Sequence, residues 1–196
     1  MRIVGLTGSL GTGKTTVAAM FAKRGAKIVD ADAITKALLV KNKKCIKKVA
    51  KAFPDVILTA GKVDRAKLAK IVFKNPRELK KLTDILYPEA LKEVKRLVSL
   101  YRRAPLVVLD VPLLFEAGWE SLADVTVVVK AFRHQQIKRI EERTGLTKAH
   151  ILSRLKFQMP QTEKIRLSDI VIDNSGPLQD TRAQVDAIID RLQQRH

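Results

Sequence analysis

Residues 5–21, GLTGSLGTGKTTVAAMF, contain a glycine-rich loop whose residue types suit phosphate binding. The stretch GSLGTGKT matches G-x-x-x-x-G-K-[ST] at Gly8, Gly13, Lys14 and Thr15. Glycines let successive backbone N–H groups turn towards phosphate oxygens, and a following helix adds a favourable dipole. Lys14 can reach the β- and γ-phosphates, and the Thr15 hydroxyl can bind Mg²⁺. The loop therefore predicts a nucleoside triphosphate site.

Small-molecule kinases, regulatory GTPases and ATP-driven motors all use such a loop. GTPases usually recognise guanine with an [NT]-K-x-D element, and NKKC at 42–45 and TKAH at 147–150 both lack the aspartate. A motor normally needs a larger domain or obligate multimerisation. A kinase needs an acceptor site beside the γ-phosphate and a lid that excludes water. Candidate residues for both are present.

Acidic residues follow two apolar segments. Asp30 and Asp32 follow the segment AKIV, and ligands of open parallel sheets bind at the carboxyl ends of strands. Asp32 could orient an acceptor hydroxyl and accept its proton, although either aspartate could instead cap a helix. Asp110 ends a second apolar segment, where a carboxylate could hold Mg²⁺ through water or cap the strand end.

Two arginines could stabilise the charge of a phosphoryl group during transfer. Arg139 and Arg143 are four residues apart and therefore share a helix face. Guanidinium groups suit this role because they bind phosphate oxygens bidentately. The alternative is surface pairing with Glu141 or Glu142, which the two-residue spacing disfavours for Arg139.

Short apolar segments alternate with helical ones, which predicts a parallel sheet of about five strands with helices on both faces. Pro112 breaks the third apolar segment. The predicted strands are 2–7, 26–32, 104–114, 123–129 and 169–173, and the predicted helices outside the middle of the chain are 14–24, 133–143, 147–158 and 178–194.

The middle of the chain, about 32–100, is helical and charged. Asp64 is a candidate helix cap, and Pro54, Gly61, Pro76 and Pro88 are candidate breaks. Residues 36–103 carry 20 Lys and Arg against 6 Asp and Glu, so this third holds most of the net charge of +18. The excess indicates either a surface facing a polyanion or lysine-rich helix faces exposed to solvent.

The length of 196 residues suits one domain with small insertions. No apolar run approaches the roughly 20 residues of a membrane-spanning helix, and MRIVGLTG reaches glycine too early for a signal peptide. The single cysteine, Cys45, excludes an internal disulfide and a multi-cysteine metal site. We expect a cytoplasmic protein.

Five separated segments together resemble the bacterial-type dephospho-CoA kinases. The glycine-rich loop alone names no family, but the four later segments are specific in combination. The segments are LTGSLGTGKT, VDADAITKAL, GKVDRAKLAKIVFKNP, LDVPLLFEAGWE and SRLKFQMPQTEKIRLSDIVIDNSG.

The resemblance implies ATP-dependent phosphorylation of the 3′-hydroxyl of the ribose in dephospho-coenzyme A, the last step of coenzyme A synthesis. It implies a P-loop kinase fold within a single domain, 1–196. The core would comprise about 1–31, 104–132 and 169–196, with a helical coenzyme-binding insertion at about 32–103 and a helical lid at about 133–160. ATP and Mg²⁺ would be required.

Together, the motifs and the resemblance assign roles to individual residues. The catalytic residues would be Asp32, Lys14 and Arg139, and the magnesium ligands Thr15 and Asp110. The ATP site would comprise Gly8, Gly11, Thr12, Gly13, Lys14, Thr15, Thr16, Arg143, Asn174 and Gly176. The acceptor site would comprise Asp32, Lys36, Arg65, Tyr87, Pro112, Leu113, Leu114 and Glu116.

Three positions depart from the family pattern. Ser9 and Tyr87 stand where the family commonly has glycine and histidine, respectively. Lys36 replaces an arginine, which keeps the charge but loses the bidentate fork.

Two further functions remain open, namely another P-loop nucleotide or metabolite kinase and an ATP-switched nucleic-acid-binding module. We expect dephospho-coenzyme A and ATP as partners, no specific nucleic acid and no membrane, and a monomer or weak homo-oligomer.

Overall fold

The computed structural model describes residues 1–58 and 62–194, which belong to two units. The first unit comprises Met1–Asp30 and Val98–His196, and the second is Ala31–Leu97. Gly61, which opens the third family-like segment, lies outside the described residues.

The first unit is built on a parallel sheet, as predicted. Its strands are β1 (Arg2–Thr7), β2 (Lys27–Asp30), β3 (Leu106–Asp110), β4 (Val125–Lys130) and β5 (Ile170–Asp173), in the order β2-β3-β1-β4-β5. Asp110 lies opposite Asp30 on one side and Leu6 on the other, so these strands end at the same edge. All five residues of β3 are buried, which is typical of a strand covered on both faces.

Within the described residues, 1–58 and 62–194, helices form much of the chain outside the strands. They are α1 (Lys14–Lys23), α2 (Ala31–Lys41), α3 (Lys43–Ala52), α4 (Arg65–Val72), α5 (Pro76–Leu100), α6 (Arg133–Thr144), α7 (Lys148–Leu155), α8 (Gln161–Leu167) and α9 (Leu178–Gln193). Short 3₁₀ helices form at Pro54–Val56 and Glu120–Leu122. No helix within the described ranges is long and apolar enough to cross a bilayer.

Helices α1 and α9 share the main hydrophobic core of the first unit. Phe21 from α1 and Ile189 from α9 are fully buried in the same cluster as Val4, Val127 and Ile172 from the sheet. Burial of apolar side chains of this size contributes roughly 1.5–3 kcal/mol each, so this layer fixes α1, and the loop before it, on the sheet.

The second unit has its own core, and side chains cap two of its helices. Asn42 accepts a hydrogen bond from the Cys45 N–H at the start of α3 (3.0 Å). Asp64 accepts one from the Lys67 N–H at the start of α4 (2.9 Å), as its position predicts. The buried cluster comprises Leu39, Cys45, Val49, Phe53, Val56, Val63, Leu68, Val72 and Leu86.

Several predicted element boundaries were wrong. Strand β2 ends at Asp30, and Asp32 lies in the first turn of α2. Strand β3 ends at Asp110, because the chain turns where Pro112 follows. Helix α5 continues through Pro88, which is exposed and therefore costs the helix one backbone hydrogen bond without burying an unpaired group.

The helix predicted at 147–158 is shorter in the structure, and a further helix that was not predicted follows it. Helix α7 ends at Leu155, and the separate helix α8 begins at Gln161. Pro160 lies directly before α8 and disfavours helical backbone at Met159, so α7 and α8 are separate helices.

Hydrogen bonds of Asp169, the residue before β5, connect the start of β5 to β4. Its carboxylate accepts hydrogen bonds from the Thr126 N–H and hydroxyl, both at 2.7 Å, and the Asp169 N–H donates to the Thr126 hydroxyl oxygen (3.0 Å). The Thr126 backbone and hydroxyl donors hold the pKa of Asp169 below its ordinary value.

We predict that Asp169→Asn lowers the free energy of unfolding at pH 7 by about 1 kcal/mol, because charge-assisted hydrogen bonds are lost. Since the folded-state pKa is lowered, this contribution exists above the unfolded pKa of about 4 and is lost as pH falls through the folded value. Urea unfolding should therefore show a lower stability of Asp169→Asn at pH 7, and no difference from the wild type at a pH below the folded-state pKa. The control Glu163→Gln, at an exposed pair with Arg166, should have a smaller effect.

Candidate functional site

Two glycines give the loop between β1 and α1 its shape. Gly11 and Gly13 have φ angles of +82° and +90°, in the left-handed region that favours glycine. A Cβ on Gly13 would lie 2.1 Å from Asn174 Nδ2, and one on Gly11 would lie 2.6 Å from the Gln136 carbonyl oxygen. Conformation and close packing therefore both require glycine at these two positions.

Ser9 fits the same loop without unusual backbone angles. No non-glycine residue in the described part of the chain, Ser9 included, has a positive φ. The Ser9 carbonyl oxygen accepts hydrogen bonds from the Thr12 hydroxyl (2.9 Å) and the Thr12 N–H (3.2 Å). The departure from the family's usual glycine is thus compatible with the loop.

Asn174, directly after β5, holds the loop in place. Its Nδ2 donates to the Thr12 carbonyl oxygen (2.7 Å), and its Oδ1 accepts from the Thr181 hydroxyl of α9 (2.9 Å). Its backbone N–H donates to the Lys130 carbonyl oxygen (2.9 Å). Asn174 therefore connects two strand ends, α9 and the glycine-rich loop, while its predicted place near adenine stays a prediction.

Arg139 lies at this junction with one unused donor group. Its Nη2 donates to the Asn174 carbonyl oxygen (3.0 Å), and its Nη1 lies 3.8 Å from where a Cβ on Gly13 would be. Nη1 is buried and has no hydrogen-bond partner among the described residues. Buried donors are normally paired, so this nitrogen suits an anionic ligand at the loop.

The second predicted arginine is placed differently. Arg143 is exposed one turn further along α6, and its predicted place in the ATP site stays a prediction. The alternative of surface pairing does not describe Arg139 in this structure, and Glu142 instead pairs with Lys138 at 4.0 Å.

Helices α6 and α7 pack against the glycine-rich loop. Leu10 contacts the small cluster of Ile140, Ile151 and Leu155. The Leu10 N–H donates to Gln158 Oε1, after α7 (2.9 Å). The segment predicted as a lid therefore touches the loop, while its movement stays a prediction.

Lys14 and Asp110 form an ion pair at the carboxyl edge of the sheet. Their side chains are only 13% and 8% exposed, respectively. A partly buried pair is sensitive to any new charge, because water screens it poorly. A phosphate bound at the loop would compete with Asp110 for the Lys14 ammonium.

Thr15 and Asp110 offer oxygen ligands of the kind that Mg²⁺ prefers. Thr15 is exposed in the first turn of α1, and Asp110 ends β3. Within residues 1–58 and 62–194, no group of three or more His, Cys, Asp or Glu could hold a metal alone. The donor set therefore fits an ion that keeps several waters and binds phosphate oxygens.

The remaining predicted ATP residues lie in the same unit. Gly8 is tightly packed, since a Cβ there would be 2.8 Å from the Val129 carbonyl oxygen. Thr16 is exposed in the first turn of α1, and Gly176 lies in the turn before α9.

The turn after β3 contains four predicted acceptor residues. Pro112 and Leu113 are half-buried, and Leu114 is fully buried against Gly5, so its side chain faces the core. The Pro112 carbonyl oxygen accepts from the Thr7 hydroxyl (3.1 Å). Glu116 is held by the Met159 N–H (2.8 Å) and by Lys164 (3.0 Å).

Lys164, in α8, contacts this turn, and sequence reasoning gave it no role. Its side chain is fully buried, and its Nζ donates to the Pro112 carbonyl oxygen (2.6 Å). Burial lowers the pKa of Lys164, and the Glu116 carboxylate opposes this shift. Lysines are rarely buried, so its residue type argued for an exposed position. Its only sequence signal was its place in a family-like segment.

The second unit carries the other predicted acceptor residues. Asp32 and Lys36 are exposed and lie one turn apart on the same face of α2. Arg65 is exposed as the first residue of α4, and Tyr87 is half-buried in α5.

A cavity of about 620 Å³ lies between α2 and α5 within the second unit. With roughly 100° per residue, the cavity-facing residues Ala37 and Lys41 lie about 140° and 180° around α2 from Asp32. The Asp32 carboxylate therefore belongs to the opposite helix face. The cavity is lined by Ala33, Ile34, Ala37, Leu38, Lys41, Asn42, Glu89, Lys92, Glu93 and Arg96.

Comparisons with known proteins agree with one another. A family model described as Dephospho-CoA kinase matches residues 2–180. A dephospho-CoA kinase from Carboxydothermus hydrogenoformans is 41% identical over 192 residues, covering 96% of this chain and 93% of its own.

Solved structures share the fold. A structure from Thermus thermophilus is 36% identical with a TM-score of 0.84, and covers 97% of each chain. A dephospho-CoA kinase from Campylobacter jejuni is 25% identical with a TM-score of 0.70, over 98% of this chain and 97% of its own.

We predict that Gly13→Ala weakens ATP binding by at least about tenfold, because the new Cβ would displace Asn174 from the loop. Gly25→Ala is the matched control, since Gly25 has a φ of +89° but nothing within 4 Å of the added Cβ. Both variants should lose some thermal stability through backbone strain. Titration calorimetry should show weaker ATP binding for Gly13→Ala than for Gly25→Ala. Equal ATP affinities of the two variants would contradict the packing argument.

We predict that Arg139→Met lowers the rate of ADP formation by roughly 10²-fold, because the variant lacks the cation whose buried Nη1 is an unpaired donor beside the loop. Lys138→Met is the control, since Lys138 is exposed and pairs only weakly with Glu142. Steady-state kinetics of both variants test this, and comparable rates would remove Arg139 from catalysis.

Proposed function

Because this chain belongs to the dephospho-CoA kinase family, we propose that it transfers the γ-phosphoryl group of ATP to the 3′-hydroxyl of the ribose in dephospho-coenzyme A. The products are coenzyme A and ADP. The observation that carries the proposal is the unpaired, buried Nη1 of Arg139 beside the glycine-rich loop. It supplies a preformed donor where a transferring phosphoryl group needs one.

The loop and its neighbours bind the triphosphate. Glycines at 11 and 13 allow backbone N–H groups to face phosphate oxygens, and α1 begins directly after them. Lys14 exchanges its contact with Asp110 for one with the phosphates. Arg139, fixed through the Asn174 carbonyl, stabilises the charge that develops during transfer.

Asp32 prepares the acceptor. It orients the ribose hydroxyl and takes its proton as the hydroxyl oxygen attacks the γ-phosphorus. The new P–O bond forms while the bond from the γ-phosphorus to the β,γ-bridging oxygen breaks, and ADP leaves with that electron pair. Mg²⁺, when bound, neutralises charge on the β- and γ-phosphate oxygens, and Thr15 and Asp110 are the residues that would hold it.

The acceptor's diphosphate accounts for only part of the positive charge in the second unit. Lys36 and Arg65 are proposed to face it, and most other lysines there lie on exposed helix faces. A cytoplasmic location and a monomeric or weakly oligomeric state stay predictions.

The decisive experiment measures ADP release with ATP, Mg²⁺ and a panel of acceptors. We expect turnover with dephospho-coenzyme A, and little with AMP, shikimate or gluconate. Turnover with a different acceptor would instead assign another metabolite kinase. Tight, salt-dependent DNA binding without turnover would favour a nucleic-acid-binding module.

We predict that Asp32→Asn lowers kcat by about 10²–10⁴-fold, because the amide cannot take the proton. The ATP affinity should stay unchanged. Asp84→Asn, at an exposed pair with Lys80 in the same unit, should retain normal kcat. Near-normal turnover of Asp32→Asn would exclude it as the base.

A further inference from the structure

We propose that Lys164 is a positioning residue, which holds the Pro112–Glu116 turn in the arrangement that binds the acceptor. The inference rests on the proposed function, in which this turn lines the acceptor site. Lys164 itself need not touch either substrate. It acts through the Pro112 carbonyl group and the Glu116 carboxylate.

The ammonium group of Lys164 contacts both ends of this turn. Nζ donates hydrogen bonds to the Pro112 carbonyl oxygen (2.6 Å) and to Glu116 Oε2 (3.2 Å), and it lies 3.0 Å from Glu116 Oε1 in an ion pair. One buried cation therefore connects residues 112 and 116. Lys164 thereby fixes the distance between residues 112 and 116.

Both ends of the turn have a second contact. The Pro112 carbonyl also accepts from the Thr7 hydroxyl (3.1 Å), and Thr7 directly precedes the glycine-rich loop. Glu116 also accepts from the Met159 N–H (2.8 Å), in the connection between α7 and α8. Lys164 therefore ties the turn to the end of β1 on one side and to this connection on the other.

Stability alone does not explain a buried lysine. Removing an ammonium from water costs several kcal/mol, and replacing a buried ion pair by apolar groups is often neutral or stabilising. The charged groups that act on Lys164 are Glu116, which raises its pKa, and Lys14, which lowers it along with burial. Burial of the Lys164 ammonium near the Lys14 charge is unfavourable. The geometry that Lys164 imposes on the Pro112–Glu116 turn explains why it is there.

The test uses Lys164→Met, which keeps an unbranched side chain one atom shorter but removes the charge and all three donors. We expect KM for dephospho-coenzyme A to rise by about tenfold or more while KM for ATP stays within about twofold. Arg166→Met is the matched control, because Arg166 is a cation on the same helix that is exposed and pairs with Glu163. It should leave both KM values unchanged.

Glu116→Gln provides a second variant if Lys164→Met does not fold. It should also raise KM for the acceptor selectively. The rise in acceptor KM of the double variant should be smaller than the product of the rises in the two single variants, because both substitutions break the same interaction. Equal changes in both KM values, or none, would overturn the positioning role.

A second measurement does not depend on the identity of the acceptor. Amide hydrogen exchange of residues 113–117 should accelerate by about tenfold in Lys164→Met relative to Arg166→Met, because the turn opens more often. Unchanged exchange would refute the inference even if the wild-type protein phosphorylates dephospho-coenzyme A. Faster exchange, combined with no turnover of dephospho-coenzyme A by the wild type, would refute the proposed function alone.

Discussion

The site depends on a close contact between a backbone and a side-chain amide. At Gly13 the chain is left-handed and has no room for a Cβ, because Asn174 Nδ2 occupies that space. Asn174 can be there because β5 lies two strands from β1 in the sheet, with β4 between them. The strand order therefore determines the shape of the loop, and the loop's shape determines where Arg139 can lie. A small backbone constraint thus links the fold to the chemistry.

The buried cations near the loop differ in how fully they are paired. Lys14 has the Asp110 carboxylate, and Lys164 has Glu116 together with a carbonyl oxygen. Only part of the Arg139 guanidinium is used, by the Asn174 carbonyl. Since unpaired buried donors are costly, the unused nitrogen marks where an incoming anion gains most. The pairing pattern therefore distinguishes Arg139, which has a free donor for an anion, from Lys14, which would have to give up its contact with Asp110 to bind one.

Much of the fold could be predicted because its signals are local. Short β-branched runs such as VTVVV indicate buried strands, and alternation with helices indicates a parallel sheet. The glycine-rich loop and the Asp64 cap could be predicted for the same reason. The passage of α5 through Pro88 and the burial of Lys164 could not, because both depend on surroundings distant in sequence. Pro88 is tolerated where it faces solvent, and Lys164 is buried where Glu116 and the Pro112 carbonyl receive it.

The predicted acceptor residue Asp32 is positioned by different constraints from the residues beside the glycine-rich loop. Beside the loop, hydrogen bonds join Asn174 to the Thr12 carbonyl oxygen and Arg139 to the Asn174 carbonyl oxygen, so these side chains are held in place by their contacts. Asp32 is exposed in the first turn of α2, and the chain connection limits where its backbone can lie, since it follows the last residue of β2 by two positions. Two residues span at most about 7 Å, which keeps its backbone near that strand end. The covalent connection therefore restricts the backbone of Asp32, whereas side-chain hydrogen bonds position Asn174 and Arg139 beside the loop.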